Sequence, residues 1–234
     1  MITGRPSAER GHTDLGWLDS YHTFSFGDYH HGDFMQFGTL RVINQDLVQP
    51  GRGFGTHDHK DMEIISYVLD GVMEHKDSMG NGSQMRPGEV QIMSAGTGVT
   101  HSEFNASSTE MLHFLQMWIL PRKRGTRPRY QQNALTVGER RGKLLMAAGP
   151  DGHEGSLSLD QDARLYVGLL ASGEQTQHEL ASRQAAWLHV ARGRLQLNDL
   201  KLGPGDGAAI QDESVLAFQG LEDAEFVLWE LSAA

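Results

Sequence analysis

Cysteine is absent from all 234 residues. That excludes disulfides, thiolate metal sites and cysteine nucleophiles together. No apolar run approaches the ~18 residues that cross a bilayer as a helix. The first ten residues, Met1–Arg10, lack the apolar stretch of a secretory leader. A cytoplasmic protein that does not engage a membrane is the expectation. Helical periodicity of useful length is missing from the first 120 residues. Positive charge is scarce too: 20 Lys and Arg against 30 Asp and Glu give a net charge of −10, the wrong sign for direct nucleic-acid binding by charge.

What the chain does have is glycine, 28 residues of it, between short strand-like runs. Candidate strands are His22–Phe26, Thr39–Asn44, Glu63–Leu69, Val72–Lys76, Val90–Met93, His101–Phe104 and Met111–Leu120, with turns at Asp70-Gly71 and Pro87-Gly88. This is an all-β pattern of sandwich or barrel type. The basic, turn-rich segment Pro121–Arg129 reads as a linker, so the expected domains are residues 1–130 and 131–234. Past it the plan recurs weakly, with Trp187–Arg192, a turn at Gly193, Arg194–Asn198 and a second turn at Gly203–Asp206.

Chemistry concentrates in two pairs spaced i, i+2: His57 with His59, and His101 with Glu103. On strands, residues two apart share a face. Neighbouring strands carrying these pairs aim three imidazoles and a carboxylate at one point. That donor set suits a divalent first-row transition metal and leaves two positions of an octahedron for substrate, water or dioxygen. The same parity on an unbroken strand turns Glu63 inward as well, so Glu63 and Glu103 are both candidate carboxylate ligands. Using Gly71 and Gly193 as a ruler, and likewise Gly88 and Gly205, Glu179, Ala181 and Phe218 stand where ligands would be, with His178 close by. The second half is therefore expected to hold no metal. His12, His22 and His75 lack a ligand-spaced partner and read as structural. His113, His153, His178 and His189 carry no signal. Phe24, Phe26, Leu112, Phe114 and Trp118 are barrel candidates, some of them lining a cavity. Gly51-x-Gly-x-Gly55 opens no helix and reads as turns rather than a nucleotide loop.

The glycine-led approaches to the two pairs resemble the two motifs of the cupin superfamily. Wider stretches, Gly11–Phe26, Thr56–Glu63, Glu74–Asn81 and Met93–Glu103, resemble the pirin family, and more narrowly its bacterial quercetin dioxygenase-like members. The resemblance implies a bicupin, two β-barrels of double-stranded β-helix or jelly-roll type packed together, the second degenerate. It implies that His57, His59, His101 and Glu103 bind one metal per chain. Iron is the first expectation; nickel, cobalt, copper and manganese fit the same set. It favours Glu103 over Glu63 as ligand and implies Glu103 as proton acceptor, with Glu63 the alternative, in quercetin 2,3-dioxygenase chemistry on a planar polyphenol with dioxygen. A pirin-type metal-binding regulatory protein and a dioxygenase of another enol or catechol are the alternatives. A monomer is expected, and no protein partner is identifiable.

Overall fold

The computed structural model describes residues 1–150, Gly152 and residues 155–232. In chain order its strands are β1 (Ile2–Arg5), β2 (Gly11–Asp14), β3 (Leu18–His22), β4 (Leu40–Val48), β5 (Gly53–His59), β6 (Glu63–Asp70), β7 (Met73–Asp77), β8 (Gly82–Met85), β9 (Glu89–Ser94), β10 (Val99–Asn105), β11 (Leu112–Ile119) and β12 (Arg129–Ala134). They continue with β13 (Leu144–Pro150), β14 (Leu157–Leu159), β15 (Ala163–Leu170), β16 (Gln175–Glu179), β17 (Gln184–Arg192), β18 (Leu195–Leu197), β19 (Leu200–Leu202), β20 (Gly207–Ile210), β21 (Val215–Gly220) and β22 (Ala224–Ser232). The α-helix among the described residues is the single turn α1 (Val137–Arg140), closed by a capping box between Thr136 and Glu139.

Two compact units result. One comprises Gly11–Ala134 and Leu157–Gln161; the other comprises Met1–Arg10, Leu135–Ser156 and the chain from Asp162 onward. This differs from a cut at 130/131 for physical reasons. β12 runs to Ala134 and pairs with β9 along its whole length, so Arg129 opens a strand of the first unit. β1 pairs with β20, carrying the N-terminus into the second unit.

In the first unit a seven-stranded sheet, β12-β9-β6-β11-β4-β3-β2, faces a four-stranded one, β5-β10-β7-β8. Val48, Val68 and Phe114 from the large sheet meet Met73, Met85 and Phe54 from the small one in a shared core. β6 is buried along seven of its eight residues, as an Ile, Val and Leu-rich central strand should be. β10 instead alternates, burying Val99, His101, Glu103 and Asn105 and turning Thr100 and Phe104 outward. The second unit repeats the design with a larger sheet ordered β1-β20-β17-β22-β15-β13 and a smaller one ordered β16-β21-β18-β19. Its two sheets close on Leu188, Val190, Leu195, Leu197, Leu216, Phe218, Phe226 and Leu228.

Gly71 and Gly193 hold equivalent corners. Both have positive φ, 78° and 66°. A Cβ on Gly71 would lie 2.4 Å from Met111 O, and one on Gly193 1.9 Å from Asp223 O, the residues just ahead of β11 and β22. No other residue fits such a corner. The proposed strand His22–Phe26 is not formed: β3 ends at His22, and Phe26 makes only an isolated bridge to Tyr29.

Candidate metal centre

β5 and β10 are antiparallel neighbours with His57 opposite His101 and His59 opposite Val99. Between His101 and Glu103 the register shifts, so Glu103 faces Phe54. Such a bulge re-aims side chains beside functional sites. The ring centroids of His57, His59 and His101 form a triangle with sides of 4.5, 4.8 and 4.9 Å. His57 Nε2 and His101 Nε2 are 3.1 Å apart. The three donor nitrogens lie close enough together to hold one ion.

His57 Nδ1 contacts Gly55 O at 2.8 Å. A carbonyl only accepts, so Nδ1 carries the proton and Nε2 keeps its lone pair for a metal. Burial, then the neighbouring imidazoles His101 and His57, push His59 down to about 4. Burial, then His57 and His75, push His101 down to about 3. Both rings are therefore neutral at physiological pH, the state in which imidazole is a ligand.

Glu103 is buried and heavily bonded. Its Oε1 accepts from Ser66 Oγ at 2.9 Å and Gln91 Nε2 at 2.8 Å, and its Oε2 accepts from Gln116 Nε2 at 2.7 Å. It clusters with His75 and His101 rather than with the full three-histidine set. His75 is fully buried, stacks on Tyr130 at 4.7 Å and lies 3.3 Å from Asp77 Oδ2. The imidazole Nδ1 atoms of His75 and His101 are buried without hydrogen-bond partners.

Glu63 does not reach the centre. Shared parity from His57 to Glu63 requires an unbroken strand, but β5 ends at His59 and Asp61 has φ 51°. Glu63 opens β6 in the other sheet, where it accepts from Ser94 Oγ at 2.9 Å and Asp160 N at 3.2 Å, 3.9 Å from Arg129 Nη2. Burial raises its pKa against those bonds.

The imidazoles of His57 and His59 and the carboxylate of Glu103 open on a cavity of about 580 Å³ walled by Trp17, Phe26, Phe54 and Trp118. Leu112, Phe114 and Phe24 are core instead. His12 is exposed, pairing with Asp19 and stacking on Tyr21 at 4.6 Å. His22 is buried, bonded to Thr13 at 3.0 Å and Asn44 at 2.9 Å, and also lines the cavity. His153 lies outside the described residues. The donors around Glu103 were missed, although each left a trace: Ser66, Gln91 and Gln116 are polar residues with apolar neighbours on both sides.

In the second unit most of the same register positions are apolar. Aligned on Gly71 and Gly193 and on the ladders, Leu216 stands in the place of His101, Phe218 in that of Glu103 and Leu197 in that of His75. Leu188, Ala208 and Leu228 replace Ser66, Gln91 and Gln116. His178 holds the place of His57, opposite Leu216, so the sequence ruler slipped by one residue on β16 and by two on β21. His178 Nε2 is 3.2 Å from Glu230 Oε2, and Glu230 lies 3.7 Å from Arg164. Among the described residues, the groups able to hold a metal are His57, His59 and His101, and His75, His101 and Glu103, all in the first unit.

Two family models match the chain, Pirin over residues 4–119 and the quercetinase C-terminal cupin domain over residues 145–231. A quercetin 2,3-dioxygenase of Escherichia coli K12 is 48% identical over 231 residues, covering 99% of each chain. A pirin-like protein of Caulobacter vibrioides is 39% identical, covering 97% of this chain and 98% of its own. A bacterial pirin from Escherichia coli, crystallised in complex with nickel(II), superposes with a TM-score of 0.95 at 46% identity, covering 100% of both chains.

Proposed function

Given that the chain belongs to the pirin family, we propose that it is a metal-dependent quercetin 2,3-dioxygenase. The observation that carries this reading is the three-histidine triangle opening on an aromatic-walled cavity of about 580 Å³, a volume within the range of pockets for drug-sized ligands. The Escherichia coli relatives, one named for this activity and one solved with nickel(II), support it.

His57, His59 and His101, with Glu103, hold one divalent transition metal in this reading. Donor chemistry supports the fit: neutral imidazoles, one already orienting its free lone pair, beside a carboxylate fixed by three donors. Iron and nickel both suit this set. When bound, the metal supplies Lewis acidity for the substrate's oxygen and a path for electrons to dioxygen.

The protein's own groups do the rest. Trp17, Phe26, Phe54 and Trp118 present apolar surface to a flat polyphenol and keep water out of the site. Glu103 takes the proton of the flavonol 3-hydroxyl, with Gln116, Ser66 and Gln91 holding its carboxylate still as it does so. The enolate then reacts with dioxygen to give the ring-opened depside and carbon monoxide.

The test is oxygen uptake and bleaching of quercetin by protein loaded with each candidate metal, normalised per bound metal. Turnover that falls at least tenfold in Glu103→Gln at equal occupancy fits the assignment. Absence of uptake with every metal overturns it.

A further inference from the structure

The cavity that exposes the metal-site residues has a second polar feature that no metal needs. Ser20, His22, Asn44 and Asp46 are all buried, and all line that cavity. They come from two paired strands, with Ser20 opposite Asp46 and His22 opposite Asn44. Asn44 Oδ1 can only accept, so His22 Nδ1 carries the proton and donates to it at 2.9 Å, and His22 Nε2 then accepts from Thr13 Oγ1 at 3.0 Å. Ser20 Oγ donates to Asp46 Oδ1.

This chain of bonds fixes orientation and leaves two atoms over. With Asn44 Oδ1 engaged, its Nδ2 hydrogens have no partner among the described residues, and neither has Asp46 Oδ2. Asn44 and Asp46 are only 2% and 3% exposed. Neither atom is sealed from solvent, and both residues line the cavity, so an unengaged donor and an unengaged carboxyl oxygen face one space able to take a ligand. Burial pushes Asp46 up to about 7, against the Ser20 bond and aided by Glu103 and Asp19, which lets the carboxyl serve as an O–H donor.

The fold itself does not call for this wall. Aligned on the ladders, the second unit carries Tyr166 in place of Asn44 and Gly168 in place of Asp46. A Cβ on Gly168 would lie 2.5 Å from the Phe226 ring. Where the barrel is filled by its own core, these strand positions are packed shut.

We propose that Asn44 and Asp46 are specificity-determining residues, whose Nδ2 and Oδ2 atoms bind the ring hydroxyl or carbonyl oxygens of a planar polyphenol lying against the metal site. The inference rests on the dioxygenase reading for the substrate class. A site built to hydrogen-bond hydroxyls discriminates against analogues that lack them. The ring-hydroxylated flavonol quercetin is therefore favoured over 3-hydroxyflavone, which offers the metal the same 3-hydroxyl and 4-carbonyl but no other ring hydroxyls.

The experiment uses the full-length, metal-loaded protein and these two flavonols. Affinity is read under nitrogen by tryptophan fluorescence quenching, and kcat/KM is read in air. Wild type is expected to prefer quercetin, and Asn44→Leu and Asp46→Leu each to cut that preference roughly tenfold. Asp46→Asn keeps the shape and a donor and should retain most of it, which separates lost recognition from lost folding. Equal weakening of both flavonols, or no preference in wild type, overturns the proposal. If discrimination appears under nitrogen while the holoprotein consumes no oxygen, the recognition wall stands and the dioxygenase reading falls. If oxygen is consumed but the leucine variants keep the wild-type preference, the wall falls and the dioxygenase reading stands.

Discussion

Gln116 Nε2 donates to Glu103 Oε2 at 2.7 Å, from the middle of a strand where its neighbours Leu115 and Met117 are buried and apolar. Ser66 on the adjoining strand, and Gln91 on the strand beyond it in the same sheet, supply the remaining donors. The large sheet thus holds in place a carboxylate carried by the small one. Partners of this kind orient ligands and tune what they bind. Gln116→Leu removes one donor with little change in volume. It is expected to weaken metal binding by ~10–100-fold, measured by competition with a chromophoric chelator. Unchanged affinity would show that Glu103 does not serve the metal.

The histidines should behave as a set. His57→Ala and His101→Ala are each expected to drop bound metal from about one ion per chain towards none, measured by elemental analysis, because two imidazoles no longer close the triangle. Chelation of the wild type should lower its melting temperature, since an ion that binds only the folded state stabilises it by mass action. Glu63→Gln should keep its metal while losing stability at the Ser94, Asp160 and Arg129 contacts. Metal lost from Glu63→Gln but retained by Glu103→Gln would reverse the assignment of the carboxylate.

The two pairs spaced i, i+2 were legible as pairs because strand parity is local: His57 and His59 share a face whatever the rest of the chain does. The corner glycines at 71 and 193 were legible for the same reason. Glu63 misled because parity survives only while the strand does, and the left-handed turn at Asp61 is invisible in a lone aspartate. The pairing of β1 with β20 spans some 200 positions of sequence, and no periodicity reports a partner that distant. The donors around Glu103 and the polar wall of β3 and β4 come together only in the folded sheets. In the sequence Ser66, Gln91 and Gln116 each stand between two apolar neighbours, whereas the wall residues lie in the polar stretches Asp19–His22 and Asn44–Asp46, which single out no face.

Asp46 should leave a mark on stability. Its pKa is raised from the ordinary 3.8 to about 7, first by burial. A group bound more tightly to its proton in the folded state contributes stability that is fully present below the unfolded pKa and is lost as pH rises through the folded one. The window here runs from about pH 4 to about pH 7, and the loss across it is at most about 4 kcal/mol at 1.36 kcal/mol per unit. Asp46→Asn removes that titration. The difference in unfolding free energy between variant and wild type should therefore grow in the variant's favour from pH 4 to pH 7, as read by urea unfolding at each pH. A difference that stays flat would mean that Asp46 ionises freely in the folded protein.

Phe218 gives the last expectation, in the second unit. It stands in the place of Glu103, is almost fully buried and stacks on Phe226 with ring centroids 5.4 Å apart. Leu197, Leu216 and Leu228 occupy the other positions that surround a carboxylate in the first unit. The space that opens to a cavity in one unit is here filled by the unit's own core. Truncation then costs packing rather than chemistry: Phe218→Ala should destabilise the second unit by ~3–5 kcal/mol. The two units need not unfold together, so the loss should appear in calorimetry as a transition shifted to lower temperature. Metal content should stay at about one ion per chain, because Phe218 belongs to neither group able to hold a metal. A second ion bound per wild-type chain within residues 162–232, or metal lost on Phe218→Ala, would contradict the division of labour between an open, polar first unit and a closed, apolar second one.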